Sequence, residues 1–459
     1  MTKFREEYDS IGMKEVPVDA YYGVQSLRAA ENFRITGTKV HPEMIIAMAE
    51  VKKASAIANK KVGTIDPKIA DAMVQACEEI IEGKFTEHFI VDSIQGGAGT
   101  SFNMNANEVI ANRAIEILNG QKGDYSIVHP NDHVNCGQST NDAYPSAGKI
   151  AVVRLLNRTI KQLDMLYDTF EKKADDYGHI IKMGRTEMQD AVPISFGQVF
   201  HAYASAIKRD IKRFEVAIEE MTKLNMGGTA VGTGINADNE YIATVVPILA
   251  EVTNLPLVQA DDLIDATQNL DSFVYVSGII KSCAATLSKI SNDLRLMSSG
   301  PRTGFAEINL MPKQNGSSIM PGKINPVIPE VMNQICFNII GNDTTVTYAA
   351  EAGQLELNAF EPIIFRCLFE SLDTLCNGVE VFIKDCVSEI TINTAQCNTH
   401  LDRSIGIVTA LCPYIGYTKA SQLAKQALRN NRNIRDVVLE ENVMSEEEID
   451  NLLDPSKMI

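Results

Sequence analysis

The sequence predicts a mainly α-helical protein built on a bundle of very long helices, and three observations predict it. The stretches Ile150–Tyr177, Phe196–Met226 and Asp271–Ser299 each run for about 28 to 31 residues at helical apolar spacing with few or no breakers. A typical globular helix has about 11 to 12 residues, so three of this length imply a bundle. The segment "NPVIPEVMNQICFNIIGND", from Asn325, opens a further helix that is apolar on more than one face. Such a helix is buried from several sides. Either the bundle continues into neighbouring subunits, or one chain encloses a large core by itself.

The remaining elements follow in order. The first 40 residues read as turns and extended chain, punctuated by Gly12, Pro17, Gly23 and Gly37. "PEMIIAMAEVKKASAIANKKVG" is a helix with its stop at Gly63. "DPKIADAMVQACEEIIEGK" is another, with Asp66 as N-cap and Pro67 at its first position. After about residue 395 the chain changes to a small helical region. The expected domains are therefore 1–138, mixed and helical; 139–395, the long-helix bundle; and 396–459, a small helical domain.

Composition narrows the partners. Of 459 residues, 45% are hydrophobic and 22% charged, the profile of a soluble globular protein. With 42 basic and 59 acidic residues the net charge is −17, which argues against nucleic acid or an anionic membrane as partner. A small anionic substrate stays compatible, because a few buried cations override the global field inside a pocket. Nine scattered cysteines, with no CxxC pair, make a disulfide framework or a structural zinc unexpected. The seven histidines form no metal-spaced pair on a helix, so no metal is expected. The first twenty residues lack a signal-peptide core and no apolar run reaches the roughly 18 residues of a membrane span. A cytoplasmic protein is expected.

Three polar clusters lie between the helices. "QGGAGTSFNMNANEVIANRA" supplies Thr100, Ser101, Asn103, Asn105 and Asn107 after a glycine-rich turn. "HPNDHVNCGQSTNDAYPSA" places Ser139, Thr140 and Asn141 in a row at a helix start, where free N–H groups and the helix dipole favour anions. "NGSSIMPGKINPVIPE" joins Ser317 and Ser318 to Lys323 and Asn325 on a loop edged by prolines. Alone, each reads as a turn or a cap; three in one helical chain point to a site for a small dianion. Near-matches to a P-loop at Gly316–Lys323 and to a dinucleotide fingerprint at Gly232–Ala237 fail on spacing and context, and no cofactor is expected. Ser317 has no GxSxG elbow and no His–Asp partner in sequence. Its use as a base would need several units of pKa depression, at roughly 1.4 kcal/mol each.

The motifs "GTSFNMNANEVIANRA", "GQSTNDAYP" and "GSSIMPGKINP" occur in the order found in the fumarase/aspartase superfamily, which the chain resembles over essentially its whole length. The resemblance implies a homotetramer around a twenty-helix core, five long helices per subunit, with active sites each shared by three chains. "VPVDAYYGVQSLRAAENFRITG", "SSGPRTGFAEINL" and "GNDTTVTYAAEAGQLELN" are most similar to the aspartase branch. That branch implies reversible anti elimination of ammonia from L-aspartate to give fumarate. In it, Ser317 would take the Cβ proton, and Thr100, Ser139, Thr140 and Ser318 would hold the resulting aci-carboxylate. Lys323 and Asn325 would bind the α-carboxylate with Thr186 nearby, and Asn141 would contact the amino group. Glu187 stands where fumarases and some aspartases carry a histidine, in fumarases coupled to a carboxylate at the position of Glu330, and a carboxylate there leans towards an amine leaving group. His129 resembles a secondary anion site of fumarases. The alternatives are a class II fumarate hydratase and a lyase-fold protein retired to a structural role.

Overall fold

The structure, a computed structural model, describes residues 3–459 and is mainly helical. The chain opens with an antiparallel hairpin of β1 (Phe4–Asp9) and β2 (Gly12–Pro17), paired from Phe4↔Pro17 to Asp9↔Gly12. A short helix, α1 (Val24–Asn32), follows where only turns and extended chain were expected. No side chain next to it in sequence caps its start. Its first N–H groups, at Gly23, Gln25 and Ser26, go instead to the carboxylate of Glu108 at 2.8 to 3.0 Å. A helix end must find partners for those donors, and here they come from 80 residues away.

Helices α2 (Pro42–Val62) and α3 (Pro67–Ile81) form as their punctuation predicts. The side chain of His41 caps the first and that of Asp66 the second, and Gly63 closes α2 at φ 79°. Glu108 belongs to α4 (Thr100–Ile117). Then come the first two long helices, α5 (Thr140–Asp176) and α6 (Phe196–Met221), joined by the hairpin of β3 (Ile181–Thr186) and β4 (Gln189–Ser195). Two short strands, β5 (Lys223–Leu224) and β6 (Val258–Gln259), pair in parallel around α7 (Asn239–Thr253). After α8 (Leu263–Gln268) the other long helices are α9 (Asp271–Met297), α10 (Val327–Glu351) and α11 (Glu361–Asp385).

Two expected boundaries need correction. Helix α5 starts at Thr140, ten residues before the expected Ile150, and carries Pro145 inside it. Gly148, the other apparent breaker, is a packing requirement, because a Cβ there would overlap the ring of Phe365. Helix α6 stops at Met221 rather than Met226, since Lys223 and Leu224 leave it to pair with β6.

The chain divides into two compact units. One comprises the chain up to Ile160 with Lys212–Ser282 and Phe337–Leu375; the other comprises Lys161–Ile211, Cys283–Cys336 and Cys376–Ile459. The division falls inside each of the five long helices. In the second unit, α12 (Thr394–Arg403), α13 (Cys412–Ile415), α14 (Tyr417–Asn430), α15 (Ile434–Glu440) and α16 (Glu446–Leu453) surround their own core of Leu411, Leu423, Val437, Val438 and Ile449.

Helix α9 is long and apolar enough to cross a bilayer, but half of its most apolar stretch is buried inside the protein. Phe273, Ile280, Leu287, Ile290 and Leu294 are among its buried residues. Each such side chain contributes about 1.5 to 3 kcal/mol on burial. Helix α10 differs, because it leaves Val331, Phe337, Ile340 and Tyr348 on the surface, Phe337 61% and Tyr348 71% exposed.

Candidate active site

The ten residues expected at the site divide between the two units. Thr100, Ser139, Thr140 and Asn141 lie in the first, and Thr186, Glu187, Ser317, Ser318, Lys323 and Asn325 in the second.

In the first unit, Ser139, Thr140 and Asn141 form the mouth of α5. The Ser139 hydroxyl oxygen accepts the Asn141 N–H at 3.2 Å, and Thr140 Oγ1 accepts Nδ2 of Asn103 at 3.1 Å. Both oxygens already act as acceptors, so their own protons are available to an anion. Asn141 is braced on both sides: its Nδ2 donates to the Ala230 carbonyl at 2.7 Å and its carbonyl accepts from Asn225 Nδ2 at 2.9 Å. That leaves Oδ1 as the acceptor a substrate ammonium would need.

Beneath this mouth, the Asp142 carboxylate accepts the N–H groups of Ser139, Gly227 and Thr229 at 2.9 to 3.1 Å, tying the turn to the 225–230 segment. Burial pushes the Asp142 carboxyl up to about 6 against those donors and the ammonium of Lys52. Burial likewise drives Lys52 down to about 7, against the attraction of Asp142.

Thr100 stands at the first position of α4, after Gly99 at φ 89°, and its hydroxyl donates to the Gly97 carbonyl at 2.7 Å. It borders a cleft of about 480 Å³ lined also by Arg28, Ser101, Met104 and His129. His129 caps the turn after it, its Nδ1 accepting the N–H groups of Asn131 and Asp132. Of the neutral donors expected beside Thr100, only Asn103 reaches Thr140. Asn105 clamps the backbone at His88 and Ile90, and Asn107 bonds to Asn135.

In the second unit, Ser317 opens a tight turn. Its Oγ accepts the N–H groups of Ile319 at 3.2 Å and Met320 at 2.9 Å. Two donors aimed at a hydroxyl oxygen favour its alkoxide over its neutral form. Ser318 and Lys323 are exposed on the same loop, while Asn325 is half-buried and bonds back to the Gly316 carbonyl at 2.7 Å. Glu330, on the first turn of α10, lies 4.0 Å from Arg295.

Thr186 and Glu187 are exposed at the tip of the β3–β4 hairpin. Thr186 pairs with Gln189, so Glu187 and Met188 form a two-residue loop, both in the left-handed region at φ 52° and 66°. That geometry normally selects Asn-Gly. The root of the hairpin is held by Glu307, whose fully buried carboxylate pairs with Lys182 at 3.1 Å, Arg185 at 2.7 Å and His400 at 3.1 Å. Arg185 also lies over the ring of Phe305, 4.3 Å from its centre.

Sequence reasoning passed over Lys52, Asn135, Asp142 and Glu307. For Glu307 the available signal was a single charged residue inside the largely apolar "GFAEINL"; Lys52, beside Lys53 and Glu50 in "MAEVKKASA", carried no such signal. Among the described residues, no three His, Cys, Asp or Glu side chains cluster as metal ligands would.

A long-helix fold with a hydroxyl-rich helix mouth and a serine-bearing loop defines a class of lyase, and comparison with known proteins agrees. The family model described as "Lyase" matches residues 12–341, and "Fumarase C C-terminus" matches residues 407–459. The aspartate ammonia-lyase of Bacillus subtilis (strain 168) is 50% identical, covering 99% of this chain and 96% of that enzyme. That of Escherichia coli (strain K12) is 49% identical, covering 98% and 94%. Among solved structures, a fumarate lyase:delta crystallin from Brucella melitensis bound to cobalt superposes with a TM-score of 0.97 at 45% identity, covering 99% of both chains. A class II fumarase from Schistosoma mansoni also gives 0.97, at 33% identity, again covering 99% of both. The chain belongs to the fumarase/aspartase superfamily.

Proposed function

We propose that the protein is an aspartate ammonia-lyase, a carbon–nitrogen lyase that reversibly converts L-aspartate to fumarate and ammonia. The observation that carries this reading is identity of about half, over nearly the full chain, with enzymes of that name from several bacteria. The hydratase reading is weaker, since the fumarase structure that superposes equally well shares only 33% of its residues.

In this reading Ser317 removes a proton from Cβ of L-aspartate, and the electron pair moves into the β-carboxylate, giving an aci-carboxylate dianion. The pair then returns to form the Cα–Cβ double bond as the C–N bond breaks, and ammonia leaves. Ser139, Thr140 and Ser318 donate to the dianion, as preorganised donors do for developing charge, and Thr100 joins them once its hydroxyl leaves the Gly97 carbonyl. Lys323 and Asn325 hold the α-carboxylate with Thr186 nearby. Asn141 accepts from the ammonium, and Glu187 attracts it. The two N–H groups on Ser317 Oγ support the base assignment, and the donor-ready hydroxyls of Ser139 and Thr140 support the cradle.

The exposed apolar residues of α10 support an interface between chains, as the proposed homotetramer with shared sites needs, and the net charge of −17 suits a soluble cytoplasmic enzyme without nucleic-acid or membrane partners. Ultraviolet absorbance of fumarate, followed with L-aspartate and with L-malate, tests the reading. Fumarate from aspartate alone supports it. Fumarate from malate alone makes the protein a hydratase, and silence with both revives a structural role.

A further inference from the structure

Lys52 takes no part in the chemistry above, yet it sits on α2 with no exposed surface. A buried ammonium is costly unless its surroundings use it. Its Nζ donates to Asn135 Oδ1 and Gln138 Oε1, each at 2.9 Å. An ammonium has donors only, so both amides turn their oxygens towards it. The other ends agree, because Asn135 Nδ2 and Gln138 Nε2 both donate to backbone carbonyls.

The direction fixed at Asn135 by Lys52, with Asn107 Nδ2 also donating to Asn135 Oδ1 at 3.2 Å, passes to Asn103. Asn103 Nδ2 donates to Asn135 Oδ1 at 3.1 Å and to Thr140 Oγ1 at 3.1 Å. Turning the Asn103 amide over would set its oxygen against the oxygen of Asn135. In the orientation it keeps, Asn103 Oδ1 is buried with no hydrogen-bond partner among the described residues. Most buried polar atoms are paired, and the two bonds that hold Asn103 Nδ2 account for this exception. The consequence reaches Thr140, whose oxygen is occupied as an acceptor and whose proton is left for the substrate.

We propose that Lys52 is a positioning residue for the elimination, fixing the direction of the chain Lys52–Asn135–Asn103–Thr140 so that Thr140 meets the substrate as a hydrogen-bond donor. The proposal rests on the reading of Ser139 and Thr140 as a carboxylate cradle.

A double-mutant cycle on the full-length protein tests it, with wild type, Lys52→Met, Thr140→Val and the double variant compared on L-aspartate. If Lys52 acts through Thr140, each single variant lowers kcat/KM by about ten- to a hundredfold, and the double falls within about threefold of the worse single. A double variant whose loss is the product of the two singles overturns the proposal, as does Lys52→Met with wild-type kinetics. Circular-dichroism melting checks each fold. If Lys52→Met does not fold, Asn135→Leu with Thr140→Val breaks the same chain one residue further on, and additivity there overturns it equally. Should the wild type make no fumarate from L-aspartate, the reading above fails by itself, and the cycle is then scored on calorimetric affinity for succinate.

Discussion

Asn325 donates through Nδ2 to the carbonyl of Gly316 at 2.7 Å, which closes residues 317–324 into a ring. Ser317, the first residue inside it, has its Oγ on the N–H groups of Ile319 and Met320. The stem is tied separately, by Lys313 to Asp385 at 3.1 Å and to Glu389 at 2.6 Å. The tip is free, with Ile319 84% exposed. The loop is thus fixed at its base and open at its tip, as a segment that closes over substrate would be. The same bond means that substrate binding must share or displace the donor of Asn325 if that residue is to grip a carboxylate.

Ser317→Ala removes the hydroxyl and leaves the ring closed. A general base contributes about 10²- to 10⁴-fold. The expected result is a fall of that size in kcat on L-aspartate, with KM changed by no more than a few-fold. Unchanged turnover would remove Ser317 from the mechanism.

Asn325→Ala opens the ring. Faster tryptic cleavage after Lys323 is expected, together with a KM for L-aspartate raised about ten- to a hundredfold, since one charge-assisted hydrogen bond is worth about 1.5 to 3 kcal/mol. Wild-type cleavage kinetics would show that the Gly316 bond does not restrain the loop.

What the sequence revealed, and what it hid, follows from how far away each element finds its partners. Helices α2 and α3 were legible because their caps, Asp66 with Pro67 and the stop at Gly63, are local. Helix α1 was hidden because its cap, Glu108, lies in another helix. The helix start at Thr140 was legible, but its unbroken run into the stretch from Ile150 was hidden because Pro145 and Gly148 look like breakers until Phe365 is seen occupying the space beside Gly148. The site motifs were readable as clusters of donors. Their supports were not, because Lys52 and Glu307 act across 83 and 122 residues of sequence.

The Glu187–Met188 loop makes a prediction about strain. Two residues with side chains sit at φ 52° and 66°, a conformation that costs non-glycine residues about 1 kcal/mol or more each. Met188→Gly is expected to stabilise the protein by about 0.5 to 1 kcal/mol, read as a raised urea midpoint at unchanged m-value. A lowered midpoint would mean that Met188, although 55% exposed, packs against a neighbour in the assembled protein.

Glu307→Gln leaves Lys182 buried without its counter-charge. Breaking a buried pair costs about 3 to 5 kcal/mol, so a clear loss of urea stability is expected near neutral pH. Burial pushes the Glu307 carboxyl up, but Lys182 and Arg185 together outweigh it and hold the group below its ordinary value. For a group lowered in the folded state, the stabilisation is complete above the unfolded pKa, about 4.3, and is lost as pH falls through the folded value. The gap between wild type and Glu307→Gln should therefore narrow as pH falls below about 4.3. A gap that stays constant through that range would mean that the charge of Glu307 does not supply the stability.

Helix α10 carries the prediction about assembly. Phe337, Ile340 and Tyr348 are exposed on a single chain, and large exposed apolar residues along one helix mark an interface. Phe337→Asp combined with Tyr348→Asp places carboxylates on that surface without touching any of the ten candidate site residues. Light scattering after size exclusion should show a smaller species than the wild type. If sites are completed by other chains, activity on L-aspartate should fall in step with dissociation, and raising the protein concentration should restore part of it. A dissociated variant with full activity would instead mean that one chain builds a complete site. A variant that stays assembled would move the interface away from this face of α10.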